Sequence, residues 1–412
     1  MIDLYDVTIV GAGIAGSALA ASVAKNNHSN NPIRVALIEE KEIHNDNLLI
    51  NDDINNFDPR VSALTIGSKK ILSDIGVWSK ISSRRLCGFK RMIAWDSLGS
   101  GMVDFDASDV RQPFLGYIVE NKIILSALHE QVLSLPMVDI FDQQSVGSFD
   151  SNEKSNNFDY CSIRLTDGRI IKSRLLIAAD GASSKMRDMA NHQTRQWDYF
   201  QDAIVCTIEL EKGHMDTAWQ RFTDFGPIAL LPLKSNENKS FYSLVWSQST
   251  EKANQLYAMD SKNFCRELSI SLENRFGDVL GCSKRFKFKL RHCHSVDYIS
   301  SRFVLVADAA HSIHPLAGQG INMGLDDIKV LSKLLLEAHS NGKDLSNKKL
   351  LSKYQRIAKT NNLQMIASIE ALKKIFDPLP LSLRWLRNFG MRFFNKQTQI
   401  KKQVMLHAMG IK

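Results

Sequence analysis

The chain has no apolar run approaching the ~18 residues needed to span a bilayer, so no transmembrane anchor is expected. Its amino terminus lacks the basic segment and apolar core of a secretory signal and enters a first strand directly, which argues against export. Six cysteines (Cys87, Cys161, Cys206, Cys265, Cys282 and Cys293) are scattered without a CxxC pair. They read as reduced, packed thiols and not as disulfides or a zinc site. No His, Cys or carboxylate cluster has metal-ligand spacing, and His292 and His294 read as strand or loop residues. A Ser/His/Asp set, a catalytic carboxylate pair, an internal repeat and a low-complexity block are also missing. The net charge of +8 comes without a helix-turn-helix, zinc-finger or RNA-recognition pattern, which leaves nucleic acid as the weakest partner. Acid is scarcest at the end: from Ala371 onward Asp377 stands alone against Lys373, Lys374, Arg384, Arg387, Arg392, Lys396, Lys401, Lys402 and Lys412.

What is present is an ordinary globular composition, 44% hydrophobic and 23% charged, over 412 residues. That length allows two or three domains with an ample core. Near the start, the apolar run Val7 to Val10 is followed at once by Gly11-Ala-Gly13-Ile-Ala-Gly16, a helix of small residues, and a second strand, Arg34 to Ile38, ending in Glu39. This is the dinucleotide fingerprint in its required context. Gly11 permits the tight turn, Gly13 lets backbone approach a pyrophosphate, and Gly16 allows close helix–strand packing. Glu39 stands where a carboxylate would hold an adenosine ribose, with Glu40 as the lesser candidate. A glycine turn in an ordinary α/β domain is the bland reading.

Far along the chain, Phe303 to Val306 reads as a strand with Asp308 at its carboxyl end. Gly318 and Gly320 then open an amphipathic helix with Ile321, Leu325, Ile328, Leu331 and Leu335 on one face. The helix amino terminus favours negative charge at that point. Asp327, beyond the first helical turn, is expected to face solvent, and His311 and His314 are read as turn and packing residues. Between these segments, Leu175 to Ala179 reads as a strand ending in Asp180-Gly181 and a polar turn with Lys185 and Arg187.

In this order the three segments form a pattern that resembles the group A flavoprotein aromatic hydroxylases. Within that group, Pro59-Arg60-Val-Ser-Ala-Leu64, Gly116-Tyr-Ile-Val-Glu120-Asn121, Gly226-Pro-Ile-Ala-Leu-Leu-Pro232 and His314-Pro315-Leu-Ala-Gly-Gln-Gly320 look like the ubiquinone-biosynthesis hydroxylase family. So does the tail, Leu386-Arg-Asn-Phe-Gly390 through Ala408-Met-Gly410. The resemblance implies FAD in the single fingerprint, with NADH or NADPH as a transient reductant lacking its own Rossmann unit. It implies a flavin hydroperoxide that hydroxylates a phenol, here a polyprenylated one. The residues it assigns to FAD are Gly11, Gly13, Gly16, Glu39, Arg60, Asn121, Asp180, Gly181, Asp308, Pro315, Gly318, Gly320 and Asn322. Arg60 faces the pyrophosphate on this reading and is a solvated or ion-paired loop arginine on the bland one. Asn121 either touches FAD or caps a helix. The family usually has Gly-Asp where this chain has Ala307-Asp308, so an added methyl is expected beside the cofactor.

The expected architecture is α/β: a discontinuous Rossmann-like FAD-binding domain (1–75, 108–182 and 285–345), an inserted β-sheet substrate domain (76–107 and 183–284), and a carboxyl-terminal helical region (346–412). The inserted part is read as strands interrupted by one helix near Lys262 to Phe276, and Ser151 to Asp159 as a turn. A hydroxylase of a soluble phenol, a flavin-dependent polyprenyl reductase and a flavin-bound assembly subunit stay open as alternatives. In the tail, Leu379, Leu381, Leu383, Trp385, Leu386, Phe389, Phe393 and Phe394 are interleaved with Arg384, Arg387, Arg392 and Lys396. This pattern suits either an anionic membrane interface or packing against the body or a partner. The expected location is cytoplasmic, peripheral on the inner face of the cytoplasmic membrane. Contact with other quinone-biosynthesis proteins or with a second copy of the chain is left open.

Overall fold

The computed structural model describes residues 4–25, 32–43, 48, 50–154, 159–235, 239–312, 320–377 and 379–411. The expected FAD residues Pro315 and Gly318, with His314, lie outside them.

Short apolar runs build a parallel sheet in the order Phe303–Leu305, Ile170–Ala178, Leu4–Val10, Val35–Ile38 and Val138–Phe141. Such strands are covered on both faces, and the side chains of Val7, Ile9, Leu37, Ile177 and Leu305 are wholly buried. Three antiparallel strands, Ile299–Ser300, Asp159–Leu165 and Val146–Lys154, extend the sheet to eight. The segment expected as a turn at 151–159 is therefore strand at both ends. The small-residue helix Ile14–Lys25 packs against both Asn121–Leu133 and Gly320–Ser340. Its run of Gly, Ala and Ser residues permits that close approach on two sides.

A nine-stranded sheet holds Arg91–Asp96, Met102–Asp106, Thr194–Leu210, Thr217–Thr223, Gly226–Pro232, Phe241–Ser249, Val279–Cys282, Phe286–Ser295 and His311–Ser312. Side chains alternate across it. Ile204, Cys206, Ile208, Leu244 and Trp246 pack under two helices, Thr250–Ala258 and Ser261–Ser271. Ala203, Val205, Val245, Phe288 and Leu290 cluster on the other face. Two helices stand where one was expected, because Ser249 and Asp260 each cap a helix start. The first escaped the periodicity because it buries only Ala253 and Leu256.

Two boundaries also differ from expectation. Phe286–Ser295, expected in the nucleotide-binding part, pairs antiparallel with Thr194–Leu210 in the nine-stranded sheet. Leu86–Phe89, expected in the inserted part, pairs with Gly116–Glu120 in a three-stranded sheet completed by Val61–Thr65. Neither strand carries a local mark of its partner. Beyond lie the helices Lys348–Phe376, Leu381–Lys396 and Thr398–Ala408. Met405 and Met409 are buried, and Gly67 N–H donates to the Met409 carbonyl at 3.0 Å, so the chain end docks on the body.

Candidate functional site

The carboxyl ends of four neighbouring parallel strands open onto one crevice, the usual ligand site of such sheets. Leu4–Val10 leads into Gly11, Val35–Ile38 into Glu39, Ile170–Ala178 into Asp180 and Phe303–Leu305 toward Asp308. Side chains separated by hundreds of residues thus share one edge.

The glycines there divide into two kinds. Gly11 has φ +99°, and a Cβ on it would lie 2.6 Å from the Ala179 carbonyl oxygen. A Cβ on Gly16 would lie 1.8 Å from the Gly11 carbonyl oxygen, so both are demanded by the fold. A Cβ on Gly13 or Gly320 would meet nothing within 4 Å, and Gly181, equally open, is held to glycine by its φ of +83°. Packing does not demand glycine at Gly13, and the open space beside its backbone is the cradle a pyrophosphate would fill. Glu39 Oε2 accepts from Ala12 N–H at 2.6 Å, which fixes that carboxylate at the glycine turn, while Glu40 is exposed and near Lys185. Asp180 accepts from Ser184 Oγ (2.5 Å) and Met186 N–H (3.0 Å), shaping the turn that follows Gly181.

Arg60 is exposed, with its guanidinium over the Phe288 ring at 5.9 Å and within electrostatic reach of Asp308. The Phe288 face of the nine-stranded sheet therefore borders the crevice. Asn121 stands at the first turn of its helix, and its Oδ1 accepts from Ser62 Oγ at 2.7 Å. Asn322 is buried, and its amide is engaged with Thr65 N–H (3.0 Å), Ser68 Oγ (2.7 Å) and the Ala63 carbonyl (2.9 Å). It ties the helix start to the Val61–Thr65 strand.

Asp308 is exposed, with charged groups of both signs in electrostatic reach. His311 and Arg60 favour charge on its carboxyl, and Asp327 opposes it. The preceding Ala307 has φ +52°, a left-handed conformation that glycine adopts freely. Its methyl is buried toward Gly324, where a Cβ would stand 2.9 Å away. The methyl expected beside the cofactor thus lies toward helix Gly320–Ser340, on a left-handed backbone.

Asp327 overturns another expectation. It does not face solvent: it is 1% exposed and accepts from Ala307 N–H (3.1 Å), His311 Nε2 (2.6 Å) and Asn362 Nδ2 (3.1 Å). Burial opposes charge on His311, but the Asp327 carboxylate prevails and raises the imidazole pKa. The network continues from Asn362 to Tyr298 Oη (3.4 Å) and from Tyr298 to His294 Nε2 (3.0 Å). Burial pushes His294 down to about 4 and Tyr298 up, so a neutral phenol meets a neutral imidazole there. Asp327 has Met323 and Leu331 one turn away on its helix, but its burial depends on donors from the Ala307 turn, His311 and Asn362 that no local pattern marks.

Other contributors carried no motif. Arg187 is buried and donates to the Ala309 carbonyl (3.1 Å) and the Ala182 carbonyl (3.2 Å), joining the Asp180 and Asp308 segments. His129 Nε2 lies 2.8 Å from the Ala12 carbonyl beneath the glycine turn. Arg85, over the Phe57 ring at 3.6 Å, forms a buried ion pair with Glu120 at 2.6 Å. Away from the crevice, Cys87, His214 and Asp216 come together although scattered in sequence, with Lys90 already 3.0 Å from Asp216.

Comparison with known proteins agrees with this geometry. Residues 4–367 match the FAD binding domain family. The chain is 34% identical to the ubiquinone biosynthesis monooxygenase COQ6 of Xenopus tropicalis, over 98% of this chain and 93% of that protein. It is 31% identical to the 3-demethoxyubiquinol 3-hydroxylase of Escherichia coli strain K12, over 98% of each. Among solved structures, the p-nitrophenol 4-monooxygenase of Pseudomonas putida shares the fold with a TM-score of 0.77 at 14% identity, covering 99% of both chains. The glycine turn, the strand-end carboxylates and these full-length relatives place the chain in the FAD binding domain family, among the FAD monooxygenases of ubiquinone biosynthesis.

Proposed function

We propose that this protein adds one oxygen atom from dioxygen to the ring of a polyprenylated phenol in ubiquinone biosynthesis, with NADH or NADPH as reductant. The carrying observation is the convergence of Gly13, Glu39, Asp180 and Asp308 on one crevice whose open glycine cradle suits a dinucleotide. FAD, when bound, supplies the activation of dioxygen. The protein binds and orients. Backbone at Gly13 leaves room for the pyrophosphate, Glu39 accepts from the adenosine ribose, and Asp308 accepts from a ribityl hydroxyl. Arg60 gives the anionic portion a countercharge. Ala203, Val205, Val245, Phe288 and Leu290 give the bordering sheet an apolar face that excludes water from the ring to be oxidised.

Mass-spectrometric profiling of quinone intermediates in cells lacking this protein tests the reading. A prenylated phenol short of one ring oxygen should accumulate, and only under aerobic growth. An unchanged quinone pool, with paralogues also deleted, removes the proposal.

The same reading puts the protein at the inner face of the cytoplasmic membrane, peripherally, because such a substrate resides in lipid. Among the described residues no helix is long and apolar enough to cross a membrane. Helix Leu381–Lys396 supports surface attachment by being turned inside out. Its polar side packs inward: Arg387 pairs with Asp96 at 2.7 Å, Asn388 Oδ1 accepts from Gly101 N–H, and Asn395 Oδ1 accepts from Asp104 N–H. Its outer side exposes Leu381, Trp385, Phe389 and Phe393, the last three stacked in sequence, with exposed Arg392 and Lys396. An apolar stripe carrying cations and no acid fits an anionic lipid surface.

A further inference from the structure

We infer that Asp327 is a positioning residue of the cofactor site: it holds the turn Ala307–Ala310 in the conformation that aims Asp308 at the crevice. The inference rests on the FAD reading above. Three donors from three segments end on this one buried carboxylate: the Ala307 N–H at the start of the turn, His311 just after it, and Asn362 of helix Lys348–Phe376. Oδ2 alone receives the first two, so a single oxygen grips both ends of the turn and Asp308 lies between them.

A grip is needed for two reasons. Ala307 sits at φ +52°, a region that a residue with a Cβ leaves unless held. In addition, among the described residues no hydrogen bond restrains the Asp308 side chain, so its direction is inherited from the backbone that Asp327 fixes. Arg187 supports the same turn from the other side through the Ala309 carbonyl. The helix bearing Asp327 also meets the turn at Gly324, where a Cβ would stand 2.9 Å from the Ala307 methyl.

FAD dissociation from purified holoenzyme, followed by ultrafiltration, tests this. Asp327→Asn and Asp308→Ala should each weaken binding roughly tenfold or more, the scale of a charged hydrogen bond. If Asp327 acts through Asp308, the double variant should fall within about threefold of Asp308→Ala alone. Ala307→Gly should recover most of the loss in Asp327→Asn, because glycine enters the left-handed conformation without the steric cost that alanine carries there. Losses that multiply, or no recovery by Ala307→Gly, overturn the inference.

Should Asp327→Asn fail to fold, Gly324→Ala decides. Its new Cβ meets only the Ala307 methyl at close range, leaves Asp327 intact, and should weaken FAD unless Ala307→Gly removes that methyl. Unaltered FAD affinity in Gly324→Ala then overturns the inference. Native protein that binds no FAD defeats the cofactor reading itself, which is a different outcome from bound FAD with independent losses.

Discussion

At the scale of single residues, the site separates groups that the fold requires from groups that only a ligand requires. Gly13 is of the second kind, since its absent side chain would meet nothing. Gly13→Val should abolish flavin absorbance in the purified protein while circular dichroism stays native; retained flavin would move the pyrophosphate elsewhere. Asp308→Ala removes a charged acceptor, so an FAD affinity ten- to a hundredfold lower is expected, from ~1.5–3 kcal/mol. Asp327→Ala should be about as damaging, contrary to the solvent-facing expectation, and isothermal titration of both variants compares them directly. The histidines behind the turn carry pH dependence of opposite sign. Burial, with His311 and Lys359 nearby, lowers His294 from 6.5 to about 4, so the folded protein binds that proton less well than the unfolded chain. Its contribution to stability is therefore full above about pH 6.5 and lost as pH falls toward 4. His311 is raised, so its contribution is present below 6.5 and lost as pH rises through the folded value. Melting temperatures between pH 4 and 6.5 should fall less steeply in His294→Gln than in the native protein. These roles were only partly legible. Gly11, Gly13 and Gly16 announce themselves by spacing, whereas Asp327 looked like any helical acid until three distant donors met it.

At the scale of elements, helix Leu381–Lys396 shows how composition can be read correctly and oriented wrongly. Its basic and aromatic content is plain in the sequence, yet Arg387 is buried against Asp96 and Arg384 lies 3.5 Å from Asp224. Reversing those two charges would break internal pairs and confuse any membrane assay. Arg392→Glu with Lys396→Glu changes only exposed cations, each worth on the order of 1 kcal/mol near an anionic surface. That pair should reduce sedimentation with vesicles rich in anionic lipid while leaving FAD content native, and Trp385→Ser with Phe389→Ser should reduce it further. Unchanged sedimentation would leave the stripe to a protein partner or a second copy, which light scattering of the native protein would reveal. The inserted sheet was legible as alternating strands, and its first helix, Thr250–Ala258, was not, because two buried residues do not make a period.

At the scale of the whole molecule, the cofactor crevice is assembled from segments that begin at Leu4, Val35, Ile170 and Phe303, so ligand binding and folding are linked. Free FAD at a hundred times its dissociation constant should stabilise the native state by ~2.7 kcal/mol. The melting temperature should therefore rise with FAD concentration in the native protein and stay flat in Gly13→Val.

The sequence by itself determined which local units form: a glycine turn after a buried strand, acids at strand ends, and an amphipathic helix after Gly320. Those are properties of a few adjacent residues, set by backbone freedom, hydrophobic period and capping. Only the tertiary structure decided that Phe286–Ser295 joins the nine-stranded sheet, that Asp327 turns inward, and that the tail helix presents its apolar side. Each of those depends on partners tens to hundreds of residues away. A buried carboxylate is stable only where donors from several segments converge on it, and that convergence is written in no local pattern.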